Sequence, residues 1–597
     1  MAESYLRRRR EGVVAAPGAV AWPVIVLLAT CLLALVSTLG ASQQLDAVDG
    51  AAVMLGVAAL VAAFGLSSRP EALVPRTRLG FAWTAFLGWA LLSAVLSSRI
   101  WAALMGEVTS LLGWFTLMAV TLVAVAAARF GRGARLALEV AAPVVVFGEV
   151  VATIVQLTLG DTPRGSLPNS TYLGEAVLLL LPFVMAEDSG ALRLERRHRL
   201  WLAGSAAITL AAAGSRVSAV VAIGWFLWVL ASRSGLSRSL KTAAAAATII
   251  AVAVGAITFA RAEVLGSSGV ETLGQRPQMW RTALEATTTR PLLGYGPDGF
   301  MAGGVAVTTP EWARQGAALV FRPGAVDPHS IVIWVLVSAG AIGLALLVWA
   351  LVELCFAWRA RARLGADVAP GVFAVVGALL VFLTAPAALQ VLPLFGFVLG
   401  VSLCGDDGDL DGSPQSSAVG RVMLVLATLS VLTMTVNAAT RLALEEHGPE
   451  VSPAKVRLAQ AATDLWRFDA HLAYLASLHW GWVAAANPAV ASAQPDLVAI
   501  ERAYAVDGRD PFVAFERART LRFYGAPNET IEAAFLSTFD RWSLFPLARA
   551  EYAVFLAQNG RFDEAREQIA IARLVDDPDM QATKAIEAAE AEMAAGK

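Results

Sequence analysis

Apolar residues gather into thirteen runs within the first 440 positions, near 20–40, 47–66, 79–97, 108–128, 136–159, 172–187, 200–214, 216–231, 242–260, 330–352, 370–386, 388–404 and 419–437. A helix of about 20 apolar residues crosses a hydrocarbon core about 30 Å thick, so the pattern predicts an all-α, polytopic transmembrane helical bundle. Three runs are short, which leaves the expected number of spans at twelve or thirteen. Beyond about Asn437 no spanning run occurs, charge rises and helical periodicity takes over, so a soluble α-helical domain is expected there.

The polar positions between the runs orient the bundle. If the N-terminal Arg7–Arg10 cluster is cytoplasmic, alternate loops should be basic. They are: Arg69, Arg76 and Arg78; Arg129, Arg132 and Arg135; Arg193, Arg196, Arg197 and Arg199; Arg233, Arg238 and Lys241; Arg359, Arg361 and Arg363. The opposite short loops hold only Arg99, Arg164 and Arg216. The arginines followed by an apolar run resemble a signal sequence, but the run is longer than a cleavable apolar segment, and it is read as a retained first helix. Three parts follow: N-terminal transmembrane helices over 1–164, a transmembrane core over 165–437 with a large extracytoplasmic loop at 261–328, and an extracytoplasmic helical domain over 438–597. Within the last, Gly560-Arg561-Phe562-Asp563-Glu564-Ala565, Ala572 and Asp577-Pro578 resemble a tetratricopeptide helix pair, whose small residues sit where the two helices touch.

Composition agrees with a membrane class. Hydrophobic residues make up 57% and charged residues 16% of the 597, against about 25% charged in ordinary soluble chains. A net charge of −2 gives no sign of nucleic-acid binding. Cys31, Cys355 and Cys404 lie in or beside apolar runs without metal-ligand spacing, so neither a disulfide nor a metal site is expected.

Candidate chemistry gathers on the outer face. The loop at 261–328 is too long for a passive connector and ends at His329, an imidazole suited to proton transfer near neutral pH. Arg216 starts a run directly after Gly214-Ser215, and Arg276 opens an amphipathic stretch that includes Arg281. Guanidiniums pair bidentately with phosphate oxygens and stay charged, so these residues suit a phosphate-bearing lipid. The plainer readings are an interfacial histidine, a snorkelling Arg216 and an Arg281 on a solvated helix face. Glu149, in the middle of a run, is costly in hydrocarbon and marks either function or a bonded neutral carboxyl. Glu175, just below Tyr172 near the outer surface, is a candidate substrate contact.

These residues reach a known pattern. His329-Ser330, nine residues, then Gly340-x-x-Gly343 resembles the signature of the O-antigen ligase and Wzy-type polymerase superfamily, which includes bacterial O-oligosaccharyltransferases. Arg276-x3-Trp280, Pro291-Leu292-Leu293-Gly294-Tyr295-Gly296 and Phe300 resemble its loop motif. Gly214-Ser215-Arg216 resembles its Ser-Arg helix start, and Pro168-Asn169 with Pro182 its Asn-containing outer loop. The resemblance implies an inverting, metal-independent and cofactor-free glycosyl transfer from an undecaprenyl-diphosphate-linked glycan donor to a glycan, lipid or protein acceptor, at a bacterial cytoplasmic membrane. Arg216, Arg276 and His329 would be catalytic; Asn169, Tyr172, Glu175, Arg281 and Tyr295 would contact substrate. Ligase, polymerase and protein O-oligosaccharyltransferase share the motif set and stay open. The outer domain favours docking of a protein or other large acceptor. A non-catalytic membrane scaffold is the alternative of another class; a transporter is disfavoured, because only Glu149 supplies an intramembrane charge.

Overall fold

A computed structural model describes residues 22–36, 44–107, 110–161, 163–185, 195–213, 216–233, 271–310, 328–364, 367–383, 385, 388–404, 414–445, 453–486, 492–574 and 581–595. Among them every long regular element is a helix. Among the described residues fourteen α-helices precede the last long apolar one: α1 (Trp22–Val36), α2 (Gln44–Leu66), α3 (Arg78–Val95), α4 (Ile100–Met105), α5 (Trp114–Phe130), α6 (Arg132–Leu159), α7 (Ser170–Val184), α8 (Arg196–Ala212), α9 (Arg216–Arg233), α10 (Glu271–Thr289), α11 (Phe300–Val307), α12 (Ile331–Arg363), α13 (Ala369–Phe382) and α14 (Leu392–Ser402). Helix α15 (Pro414–Glu445) then leads into α16 (Pro453–Leu465), α17 (Ala470–Ala486), α18 (Pro495–Asp507), α19 (Pro511–Phe523), α20 (Asn528–Arg541), α21 (Pro546–Gln558), α22 (Phe562–Ala572) and α23 (Gln581–Ala595).

Twelve of the thirteen apolar runs are helices; the run at 242–260 lies outside the described residues, as does the N-terminal arginine cluster. Five described helices are long and apolar enough to cross a membrane, and five shorter apolar ones accompany them. Small residues let these helices approach closely, as membrane packing favours. A Cβ added at Gly56 of α2 would meet the Thr435 hydroxyl of α15 at 1.9 Å, and one at Gly400 of α14 would meet the Ala124 carbonyl of α5 at 2.2 Å. Val144, Phe147, Val151 and Ile154 form an exposed face of α6, while Leu138, Ala142, Val146 and Glu149 are buried on its other side.

The C-terminal helices pack pairwise, α17 on α18, α19 on α20, and α21 on both α22 and α23. The helix pair expected near 550–578 is α21 and α22, joined through Gly560 at φ 73°. This domain does not stand apart from the membrane part. Met279, Ala283, Ala286, Phe300 and Val337 share one apolar core with Phe515, Phe535, Trp542 and Phe545. The Ser543 hydroxyl donates to the Thr308 carbonyl at 2.7 Å.

Charges complete the junction. Arg99, between α3 and α4, bonds Glu107 at 2.6 Å, Asp507 at 2.7 Å and Asp510 at 2.5 Å. Asp510 also caps α19 through the amides of Phe512 and Val513. At the end of α15, Asp469 accepts from Asn437 at 2.7 Å and from Arg441 at 2.9 Å, all three being buried. Burial opposes ionisation of Asp469, but the Arg441 guanidinium outweighs it and holds the carboxyl below the usual carboxylate range.

Two outcomes test this junction. Removing one member of a buried pair leaves an uncompensated charge, so Arg441→Met should cost about 3–5 kcal/mol. Adding Asp469→Asn, which keeps the side-chain oxygen that accepts from the His471 and Leu472 amides at the start of α17, should recover much of that loss in detergent thermal unfolding. Around Arg99, burial pushes Glu107 up to about 7, with Arg99 opposing and the charges of Asp510, Asp298 and Asp507 adding to the rise. The folded state therefore holds this proton more tightly than the unfolded chain, and the stabilisation is complete at low pH and lost as pH rises through about 7. Protease resistance of the 495–523 region should fall between pH 5 and pH 8, and Glu107→Gln should flatten that dependence.

Candidate functional site

Helix α12 begins immediately after His329-Ser330 and breaks its own geometry at Gly340, where φ is 69° and ψ −173°. Such a break frees carbonyls that hydrocarbon cannot solvate, so neighbouring groups must bond them. The loop Pro291–Gly296 does so. The Tyr295 amide donates to the Val337 carbonyl at 2.8 Å and the Gly296 amide to that of Ser338 at 2.9 Å. In return the Ala341 amide donates to the Pro291 carbonyl at 2.8 Å. Contact is backbone to backbone: a Cβ on Gly340 would lie 2.2 Å from the Leu292 oxygen, and one on Gly294 2.4 Å from the Val337 oxygen.

Helix α3 supplies the remaining donors. Trp89 donates its indole N–H to the Ala339 carbonyl at 2.9 Å. The Ser93 hydroxyl lies 2.6 Å from the Leu293 carbonyl and 2.9 Å from that of Ser338. Ser97, just past the helix end, donates to the Tyr295 carbonyl at 2.8 Å. Trp89 and Ser93 are one turn apart on one face of α3, and Ser97 continues the four-residue spacing beyond its end. Asp298, at φ 61° and buried, accepts from the Glu107 amide at 2.7 Å, the Leu112 amide at 3.1 Å and the Ser110 hydroxyl at 2.5 Å, and lies 3.4 Å from the Trp334 indole nitrogen. Sequence reasoning missed all four residues. The available signals were the four-residue spacing of Trp89, Ser93 and Ser97 on an apolar helix, and the Gly-Pro-Asp-Gly turn at 296–299.

His329 is half-buried and takes a left-handed backbone, φ 53°, which side chains other than glycine rarely adopt. The turn that carries it is tied to α10, because the Trp280 indole donates to the Pro328 carbonyl at 2.8 Å. Arg276 lies four residues before Trp280 on α10, about 6 Å along the helix axis. Arg216 is the first residue of α9, which packs on α7, α8 and α13. The side chains of Arg216 and Arg276 lie outside the described residues, as do Gly214 and Ser215.

The expected substrate contacts have other local partners. Arg281 is 61% exposed and pairs with Glu285 at 3.0 Å on the same helix. Tyr295 is buried, its hydroxyl 2.5 Å from that of Thr289 and its ring beneath the Arg290 guanidinium, 4.9 Å away. Asn169 caps α7 by accepting from the Thr171 amide at 2.7 Å, while Tyr172 is half-buried. Glu175 has no exposed surface and faces the Ala388 amide at 3.3 Å. Glu149 accepts from the amide of Ser166 at 2.9 Å and from its hydroxyl. Seven residues and about two turns further along α6, the Gln156 side-chain oxygen accepts from the amides of Arg164 and Gly165. The loop before α7 thus folds back over the end of α6, which accounts for a carboxylate inside an apolar run.

A family model described as O-antigen ligase matches residues 198–348. The matched stretch contains Arg216, Arg276, Tyr295, His329, Gly340 and Gly343, and leaves out Asn169, Tyr172, Glu175 and the C-terminal helices. A comparison with curated proteins finds no match.

Gly340→Ala should lower the thermal midpoint in detergent, since the backbone region it occupies costs other residues about 1–3 kcal/mol before any clash with Leu292 is counted. Gly88→Ala on α3, where a Cβ would meet nothing within 4 Å, should be neutral or slightly stabilising.

Proposed function

We propose that this protein is a multi-pass glycosyltransferase of the bacterial cytoplasmic membrane, moving a glycan from an undecaprenyl-diphosphate carrier to an acceptor hydroxyl on the extracytoplasmic face. The N-terminus would be cytoplasmic and the C-terminal helical domain extracytoplasmic. The O-antigen ligase match over 198–348 supports the class. The observation that carries the site is the Trp280–Pro328 bond, which joins the helix bearing Arg276 to the turn bearing His329.

In the reaction, the acceptor oxygen attacks the anomeric carbon from the face opposite the diphosphate, which inverts that centre. The bond from anomeric carbon to phosphate oxygen breaks, and its electron pair leaves with undecaprenyl diphosphate. The hydroxyl proton passes to the His329 imidazole, a transfer typically worth about 10²–10⁴-fold in rate. Arg216 and Arg276 stabilise the charge that grows on the leaving group, in the place a metal ion would otherwise take; such preorganised electrostatics is commonly the largest catalytic contribution. Tyr295 and Glu175 contribute mainly by holding the loops around the site, because both are buried.

Ligation fits the matched family, and polymerisation or transfer to protein would use the same chemistry. The shared core between the outer loop and the C-terminal helices favours a large acceptor docked beside the site.

Purified protein in detergent, given its lipid-linked glycan and candidate acceptors, tests the reading. His329→Ala and Arg276→Ala should each reduce transfer by about 10²-fold or more, and Arg276→Lys should recover only part because it lacks the bidentate fork. Undiminished transfer by both alanine variants would leave a scaffold as the better description. The acceptor that gains sugar separates ligase from polymerase.

A further inference from the structure

The turn between α16 and α17 leaves Leu465 68% and Phe468 73% exposed, with Arg467 exposed between them. Single exposed apolar residues on a soluble surface need no explanation. Here depth sets the pair apart, and two contacts fix it.

The first runs through Asp469, the residue after Phe468, which bonds Asn437 and Arg441 of α15. Exposed large apolar side chains on α15 extend from Val419 to Val436. At 1.5 Å per residue that interval is about 26 Å, close to the thickness of a hydrocarbon core. Asn437 therefore stands at the edge of the core, and Asp469 with it. The second contact is the Trp466 ring, 6.2 Å from that of Trp101. Trp101 follows Ile100, which extends the exposed apolar series Leu92, Val95 and Leu96 at the end of α3. His479 adds a bond to the Leu444 carbonyl at 2.8 Å, keeping α17 against the end of α15.

We propose that the 465–468 turn inserts Leu465 and Phe468 into the headgroup–acyl boundary of the bilayer, with Arg467 among the lipid phosphates, and so anchors the C-terminal domain to the lipid surface. Aromatic and basic residues favour this zone because one end of each stays wet while the other is apolar. The inference depends on α15 spanning the membrane and not on the chemistry at His329. Together with the Arg99 cluster and the Ser543–Thr308 bond, it fixes the domain at a third point.

Spin labels decide it. Leu465→Cys, Phe468→Cys and Asp563→Cys would be made separately in a Cys355→Ser, Cys404→Ser background, labelled and reconstituted into phosphatidylethanolamine–phosphatidylglycerol vesicles; the Asp563 side chain is 96% exposed. The ratio of collisions with oxygen to collisions with a water-soluble nickel chelate should be several-fold higher at 465 and 468 than at 563. Equal ratios at all three positions would overturn the proposal. Protection of 465 and 468 from both reagents, the sign of burial against protein, would overturn it equally. Each variant is first checked for the parent's thermal midpoint, and Leu465→Cys carries the test alone if Phe468→Cys does not fold.

Discussion

Where Gly340 turns α12 out of helical geometry, the carbonyls of Val337, Ser338 and Ala339 need partners in surroundings poor in water. They find them in the amides of Tyr295 and Gly296 and in the side chains of Trp89 and Ser93. The 291–296 loop is thereby set into the bundle at one register, since Gly294 and Gly340 leave no room between the two backbones. Asp298 extends the same constraint to Glu107, Ser110 and Leu112, and Trp280 extends it to the turn of His329. Gly294 and Gly340 thus have a structural meaning: they build the seat on which the 291–296 loop rests.

The C-terminal domain meets this seat through two kinds of contact. Its apolar core is continuous with α10, α11 and the start of α12, which removes a large surface from water. Its ionic contacts, around Arg99 and Arg441, involve chain segments that the membrane part holds in place. Buried ion pairs contribute little net stability over well-packed apolar groups, because desolvation offsets attraction. Their directional bonding instead distinguishes the observed docking from shifted ones that would strand a charge. A domain placed this way borders α10, α11 and the start of α12.

Position along a helix decides how each candidate residue is used. Glu149 lies in an apolar run, yet the loop folded over α6 brings Ser166 to it, so it organises the approach to α7. Asn169 spends its side-chain oxygen on the first turn of α7, and Glu175 points into the bundle toward Ala388. Arg281 shares a solvated face with Glu285. His329 differs, being half-exposed, strained and held by a neighbouring helix that carries Arg276.

Local pattern was enough to place twelve apolar helices and the change to shorter, more charged helices after about Asn437, because apolar length and periodicity are written within about 20 consecutive residues. It was also enough to single out His329 and the glycine spacing. It could not show what the glycines touch, why Trp89, Ser93 and Asp298 matter, or that Arg99 faces Asp510. Those partners lie 250, 245, 191 and 411 residues apart in the chain. Hydrogen bonds and ion pairs act over a few ångströms, so only the folded chain decides which distant groups come within their reach.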